Sequence, residues 1–396
     1  MFPELKKALS DQRIIVITGM RRVGKTTTLR WLLEQVPSTN KIYLDLERLD
    51  QRAVFQESNY ELVLIYLRNR GLDLSQSLTV AFDEIQYAPN LLSVVKYLYD
   101  QYRIKFLLTG SSSFYLKNYF SESMAGRKVV FEMFPLGFGE FLDFRSIAYR
   151  RRTTLEDMIF DPFEFERLKA HYDEFILFGE LPDVVTESRL DVKREILHDD
   201  FSSYINMDVR AMADFQKIGE LQQLLKLLSL RIGNKLDHTK LSQVIGISRP
   251  TLIEYLEFLE KTYVVYRLPA FASPEKAVAL GKKLYFRDNG IASILAQPGE
   301  GALFENAIFN QLDRYGRLAY LSKASDYEVD FVLTPSGQEP VGLEVKYHPL
   351  AADDHKLKHI AEKHALSRSW IVGRYPTPGF SHFFGVGLFF NGFKGC

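Results

Sequence analysis

Cysteine is almost absent from this chain of 396 residues, which has one, Cys396. A single thiol can form no internal disulfide and no cysteine-based zinc site, which excludes a disulfide-stapled scaffold and suits a reducing compartment. Net charge is absent too. The 50 Lys and Arg balance the 50 Asp and Glu, with a pI near 7.1. That balance excludes wholesale electrostatic coating of nucleic acid or anionic membrane, while a local basic groove stays open. No stretch of about 18 apolar residues occurs, and the opening residues 1–13 lack the apolar core of a signal peptide. The expectation is a cytoplasmic protein with no membrane partner. No internal repeat or low-complexity tract is visible.

Hydrophobic residues make up 46% and charged residues 25%, as in folded domains, so disorder is not the default anywhere. The length exceeds one compact core, which implies two or three domains. Over the first 135 residues, short apolar runs alternate with helical periodicity, the pattern of a parallel sheet flanked by helices. Strands are predicted at 13–18, 41–46, 78–82, 104–108 and 129–133, each apolar on both faces. Residues 136–215 read as a helical lid broken at Phe178-Gly179-Glu180-Leu181-Pro182. Three helices at 221–232, 239–245 and 249–262 followed by a strand at 264–268 give a winged helix over 216–270. From 271 to 396 the pattern is α/β with a mixed sheet: a helix near 303–312, a hairpin flanking Pro335-Ser336-Gly337, a helix near 354–366 and a strand at 369–373.

The segment Gly19-Met20-Arg21-Arg22-Val23-Gly24-Lys25-Thr26 has the spacing G-x-x-x-x-G-K-[ST]. An apolar strand precedes it, and a helix predicted over 27–35, opened by Thr27, follows. Its glycines let backbone N–H groups curl around phosphates at a helix N-terminus. Lys25 then reaches the terminal phosphates, and the Thr26 hydroxyl ligates Mg²⁺. A glycine turn would carry the same letters; the flanking strand and helix favour the phosphate loop. Residues 78–84 form an apolar strand ending in Asp83 and Glu84 at the sheet edge where ligands of open α/β sheets bind. Asp83 is the expected holder of Mg²⁺ through water, and Glu84 the group that polarises the attacking water. A capped strand end is the bland alternative. The next such strand ends in Thr109-Gly110-Ser111-Ser112-Ser113, where Ser111 is either a γ-phosphate sensor or a turn former. Arg127 is a candidate arginine finger or intramolecular sensor, in competition with Arg21 and Arg22.

These motifs, with Asp83-Glu84-Ile85-Gln86, Ala125-Gly126-Arg127 and Pro135-Leu136-Gly137-Phe138-Gly139-Glu140-Phe141, resemble a family. It is that of archaeal and bacterial AAA-type ATPases carrying a C-terminal winged-helix and restriction-endonuclease-like region. Ile247-Ser248-Arg249-Pro250-Thr251-Leu252, Lys283-Leu284-Tyr285-Phe286-Arg287-Asp288 and Glu305-Asn306 extend the resemblance over nearly the whole chain. It implies a P-loop NTPase sheet, ATP and Mg²⁺ as ligands, and ATP hydrolysis. Two positions depart from it. Glu180 and Leu181 stand where members often have a second glycine and a phenylalanine, and Met207 precedes Asp208 where an arginine is common. If that arginine serves the nucleotide in relatives, Arg210 or Arg127 does so here.

Further along, period-2 alternation puts Glu328, Asp330 and Val332 on one face of a strand and Glu344 with Lys346 on one face of the next. A hairpin symmetric about Gly337 sets Asp330 opposite Glu344, the D…E-x-K arrangement of restriction-endonuclease-like nucleases, whose carboxylates hold Mg²⁺ while the lysine orients water. Glu305 either completes that metal site or is a solvated helix residue. A cross-strand charge pair on an exposed sheet is the alternative for the other three. On the helix at 249–262, Leu252, Tyr255, Leu256 and Leu259 form the inward stripe, and Glu254, Glu257 and Glu260 face away. An acidic stripe repels phosphates, which disfavours groove reading. Lys276, Lys282, Lys283 and Arg287 form the better phosphate-contact cluster. The expected function is therefore Mg²⁺-dependent ATP hydrolysis that moves a multi-domain device, with DNA processing through the nuclease-like patch as one output. A nucleotide-controlled switch or scaffold with an inert nuclease-like domain and a partner protein is the alternative, and a homo-oligomer is a candidate state.

Overall fold

The computed structural model describes residues 1–55, 60–111, 126–150, 161–209, 218–323, 326–376 and 383–384. The chain divides into two compact units. One comprises Met1–Phe134, Met207–Asp214 and Lys261–Tyr263; the other comprises Pro135–Asn206, Phe215–Glu260 and Val264–Cys396.

In the first unit, β1 (Ile14–Gly19), β2 (Lys41–Asp45), β3 (Thr79–Asp83), β4 (Lys105–Gly110) and β5 (Lys128–Met133) form one sheet in the order β2-β3-β4-β1-β5. Every neighbouring pair is parallel. The alternation of side chains along β1 explains why it is apolar throughout: Ile14 and Val16 enter one buried cluster, and Ile15 and Ile17 enter the other. Leu64 and Leu67 from helix Tyr60–Asn69 and Leu91, Val94, Val95 and Leu98 from helix Leu91–Tyr102 fill the first cluster. Leu29 and Leu32 of helix Lys25–Glu34 fill the second. All five strands predicted here form. The expectation that each is buried on both faces fails at both sheet edges: β2 fully buries only Leu44, and in β5 Val130 is exposed. At an edge only part of a strand's surface meets a neighbour.

The second unit begins with helices, including Phe138–Phe144, Pro162–Phe178 and Leu190–Ser203. Helices Ile218–Ser229, His238–Ile245 and Arg249–Lys261 follow, then β6 (Val265–Pro269) paired antiparallel with β7 (Lys282–Phe286). Leu252, Tyr255, Leu256 and Leu259 are buried, as their helical spacing predicts. Helix Glu300–Leu312 precedes a second five-stranded sheet of β8 (Arg317–Lys323), β9 (Tyr327–Thr334), β10 (Val341–Lys346), β11 (Arg368–Gly373) and β12 (Phe383–Phe384). It is mixed: β8, β9 and β10 pair antiparallel, and β10, β11 and β12 pair parallel. Helix Ala351–Lys363 packs Leu357, Ile360 and Ala361 on one face.

Two local features shape this unit. The β9–β10 register pairs Val341 with Leu333 and Leu343 with Phe331, so the hairpin is symmetric about Gly337 and brings Asp330 beside Glu344. On the other side of β9 the register slips, because Val332 faces Ala319 but Val329 faces Leu321. Three steps on β9 match two on β8, so Asp330 and Phe331 share the space opposite Tyr320 as a β-bulge. Val332 therefore joins Val329 in the hydrophobic cluster rather than sharing a face with Glu328 and Asp330 as strict alternation requires. The second feature is a buried polar knot. Asp288 accepts from the backbone N–H groups of Glu180 and Ile291, and Glu180 accepts from that of Asn289. Asn306 ties Asn289 to both backbone groups of Phe286. Burial raises the carboxyl values of both Glu180 and Asp288 above the usual range.

Candidate functional site

The loop between β1 and helix Lys25–Glu34 is held by close backbone approach. A Cβ on Gly19 (φ 147°) would stand 2.2 Å from the carbonyl oxygen of Met133 on β5, so only glycine lets the chain leave the sheet here. Gly24, also left-handed at φ 95°, caps the helix. Val23 is buried and anchors the loop. Arg22 is exposed in the left-handed region at φ 68°, and Arg21 directs Nη2 toward the Met207 sulfur at 3.4 Å. Thr26 and Thr27 lie in the first helical turn, whose N–H groups make a ready anion cradle. Lys25 is almost completely buried, and its Nζ donates to the Met20 carbonyl at 2.9 Å.

Beside the loop, β3 and β4 deliver the acidic and hydroxyl groups. Asp83 is buried and accepts from the Tyr43 hydroxyl at 2.7 Å and from the Thr109 hydroxyl. Burial, then the hydrogen bond to Asp83, pushes the Tyr43 phenol upward, so it remains a donor. The Thr109 oxygen also accepts from the Glu84 N–H at 3.0 Å, which pins the two acidic residues to β4. Glu84 sits in the left-handed region at φ 54°, a costly conformation for a residue with a side chain. Its Oε1 lies 4.0 Å from Lys25 Nζ. Ser111 is buried at the end of β4, and its hydroxyl accepts from Gln86 Nε2 at 2.8 Å. Ser112 and Ser113 lie outside the described residues. Sequence reasoning assigned no role to Tyr43 or Gln86, and Thr109 entered it only as one of the hydroxyls at a strand end, not as a partner of Asp83.

Lys25, Asp83, Glu84 and Ser111 thus gather at the C-terminal edge of the parallel sheet, where open α/β sheets bind ligands. Arg127 does not join them. It precedes β5, its carbonyl accepts from the Ile14 N–H at the opposite edge, and its Nε lies 3.3 Å from Asp100. The length of β1 separates it from its own loop by roughly 16 Å at strand rise. An intramolecular sensor role is geometrically excluded in this arrangement. Arg210 lies outside the described residues.

In the second unit, Asp330, Glu344, Lys346 and Glu305 do approach one another. Lys346 Nζ lies 2.6 Å from Glu344 Oε1, and Asp330 accepts from the Val345 N–H at 2.9 Å. Burial and the charge of Asp330 push both Glu305 and Glu344 up to about 7. A cation is already present among them. Lys283, nearly inaccessible, places Nζ 2.7 Å from Glu328 and 3.3 Å from Asp330. Burial draws its ammonium down, yet the charges of Asp330, Glu305 and Glu328 outweigh this and raise it. The Tyr285 hydroxyl donates to Glu305 at 2.7 Å. Among the described residues no group of three or more His, Cys, Asp or Glu side chains is arranged to hold a metal ion.

The basic cluster expected at Lys276, Lys282, Lys283 and Arg287 separates. Lys276 and Lys282 are exposed, whereas Lys283 and Arg287 point inward, Arg287 pairing with Asp313. From Lys283 onward β7 is buried on both faces, so no four-residue surface patch forms. Glu254 and Glu257 are exposed, and Glu260 binds Arg267 through both Nε and Nη2. No helix among the described residues is long and apolar enough to cross a membrane.

Residues 11–142 match the model of a family described as the AAA domain, and residues 169–300 match a domain of unknown function. An uncharacterised protein of Methanocaldococcus jannaschii is 27% identical over 381 residues, covering 90% of this chain and 82% of its own. One of Haemophilus influenzae is 24% identical over 380 residues, covering 91% and 89%. Among solved structures, the Aeropyrum pernix Orc1 protein in complex with DNA aligns at 13% identity over 77% of this chain and 90% of that one, with a TM-score of 0.35. Residues 11–142 are thus similar to AAA domains, and the five-stranded parallel sheet with its glycine loop is the fold of a P-loop NTPase.

Proposed function

We propose that this protein binds ATP with Mg²⁺ and hydrolyses it, and that the nucleotide state controls the rest of the chain. The convergence of Lys25, Asp83 and Glu84 on the loop carries this reading. The backbone of residues 19–24, with Lys25, Thr26 and Thr27, cradles the phosphates; Lys25 exchanges its Met20 contact for a phosphate oxygen. The donor set fits a hard cation, since a threonine hydroxyl and a carboxylate are oxygen ligands. Asp83 keeps lone pairs for a water-mediated contact beyond those used by Tyr43 and Thr109. Mg²⁺ supplies charge neutralisation on the phosphates when bound. Glu84 accepts the proton of the attacking water, and Ser111 contacts the terminal phosphate. The decisive measurement is phosphate release from ATP by the purified chain against Lys25→Ala; no release and no ATP binding by the native protein refutes the reading.

A second proposal concerns the output. The segments 136–215, 216–270 and 271–396 act as helical lid, winged helix and nuclease-like domain, and the last is catalytically inert. The residues there do not fit a metal as arranged, because the Lys283 ammonium reaches Glu328 and Asp330 and the Lys346 ammonium reaches Glu344, so cations already engage the carboxylates. No cleavage step is derived through it. The patch then serves a nucleotide-controlled switch that binds a partner protein or DNA, in a homo-oligomer if Arg127 acts on a neighbouring subunit. Metal-dependent cleavage of plasmid DNA that disappears in Lys346→Ala would restore the nuclease reading.

A further inference from the structure

Gln86 follows β3 in the single turn Ile85–Tyr87 and is almost fully buried. Its Nε2 lies 2.5 Å from Glu84 Oε2 and 2.8 Å from Ser111 Oγ. An amide nitrogen has two hydrogens. Both are therefore committed, one to the carboxylate proposed to activate water and one to the hydroxyl proposed to meet the terminal phosphate. The other end of the amide is unsatisfied, since Oε1 is buried without a hydrogen-bond partner. Gly110 leaves it room, as a Cβ there would come within 3.3 Å of that oxygen. An orphaned buried carbonyl and a left-handed Glu84 backbone each cost stability. Two such costs on residues two apart, both beside the loop, mark a side chain held for its position.

We infer that Gln86 is a positioning residue, an amide bridge that fixes the Glu84 carboxylate relative to the group that senses the terminal phosphate. This rests on the ATPase reading above and deepens it. Because one nitrogen holds both partners, a phosphate oxygen that engages Ser111 acts through a single side chain on the orientation of Glu84. Loss of the bridge leaves the phosphate cradle at residues 19–26 intact, so ATP still binds. What falls is the fraction of bound complexes in which Glu84 meets the attacking water.

Gln86→Met keeps the volume and removes both the donors and the orphaned carbonyl. The expected result is a thermal midpoint close to that of the native protein, KM for ATP within about threefold, and kcat lower by tenfold or more. Gln86→Glu, isosteric but unable to donate, loses at least as much. In a double-mutant cycle, Gln86→Met and Ser111→Ala lower kcat less than the product of their separate effects, because either alone breaks the bridge. A kcat within twofold of native in either variant, or fully multiplicative effects, overturns the inference while leaving ATP hydrolysis standing. Unfolding of both variants assigns Gln86 to the fold and overturns it equally. A native chain that binds and hydrolyses no ATP removes the underlying reading itself, a result distinguishable because it needs no variant.

Discussion

The ammonium of Lys25 stands 4.0 Å from Oε1 of Glu84. In the proposed ATPase reading the group that meets phosphate and the one that meets water share one mouth, yet their removal has different consequences. Lys25 interacts with nucleotide before and during reaction, so Lys25→Ala weakens ATP binding and abolishes measurable turnover. Glu84 is proposed to act on water, and a positioned base contributes about 10²–10⁴-fold. Glu84→Gln is expected to keep ATP affinity within a few-fold and lose kcat by that factor. Equilibrium binding of a fluorescent ATP analogue beside steady-state phosphate release separates the two; equal losses of affinity in both variants would remove Glu84 from the chemistry.

Gly19 makes the loop possible through a contact between backbones, so its replacement cannot be relieved by a side chain swinging away. The Cβ of Gly19→Ala would meet Met133 O at 2.2 Å while adopting φ 147°. Overpacking and strain together give a loss of about 2–4 kcal/mol. Gly24→Ala shares the left-handed backbone but meets only the flexible Met133 methyl at 3.4 Å, for about 1 kcal/mol. Urea unfolding midpoints of the two variants should rank in that order. The reverse order would mean the β1–β5 approach is looser than its register implies.

The first sheet and the loop were legible because their signals are local. Five apolar runs, glycines at a fixed spacing, and Asp-Glu at a strand end can each be read within eight residues. The Asp330–Glu344 juxtaposition was legible too, since hairpin symmetry about Gly337 sets it. Long-range features were not. The bulge at Asp330 arises from pairing with β8, a strand that the reading did not place, and period-2 alternation carries no information about an extra residue. From the sequence Lys283 reads as a surface cation, because lysines are almost always exposed. Its burial depends on β7 and on carboxylates 45 and 47 residues away. Arg127 differs, because its misfit was legible: a residue just before a strand of a parallel sheet stands at the edge opposite the loop that follows β1.

Lys283 is the group on which the inert reading of the second unit turns. With its side chain 3% exposed, Lys283→Met strands Asp330 without its cation. Breaking one partner of a buried pair costs about 3–5 kcal/mol, and the partly exposed Glu328 softens this toward the lower end. Adding Asp330→Asn to Lys283→Met should recover more than half of the loss, since the stranded charge is then gone. Chemical denaturation of the native chain, both single variants and the double variant measures the coupling. Additive losses would mean that the ammonium and the carboxylate do not depend on each other.

The same cluster predicts a dependence of stability on pH with a definite sign. Glu305 is raised from 4.5 to about 7, first by burial and then by the charge of Asp330. A carboxyl whose folded value exceeds its unfolded one binds its proton more tightly in the fold, so folding takes up a proton between those two values. The native state is therefore favoured on the acidic side of this window and loses stability as pH rises through it. Glu305 is half-buried, so solvent screens part of its interaction with Asp330 and the effect is about 1–2 kcal/mol. Glu305→Gln carries no proton to exchange and still offers an oxygen to Tyr285, whose hydroxyl donates there at 2.7 Å. Between pH 5.5 and 8 the native chain should lose more stability than Glu305→Gln by that amount, with Glu344 supplying part of the remaining slope. Thermal melts of both proteins at the two pH values give the double difference; identical slopes would place the Glu305 proton outside the folding equilibrium.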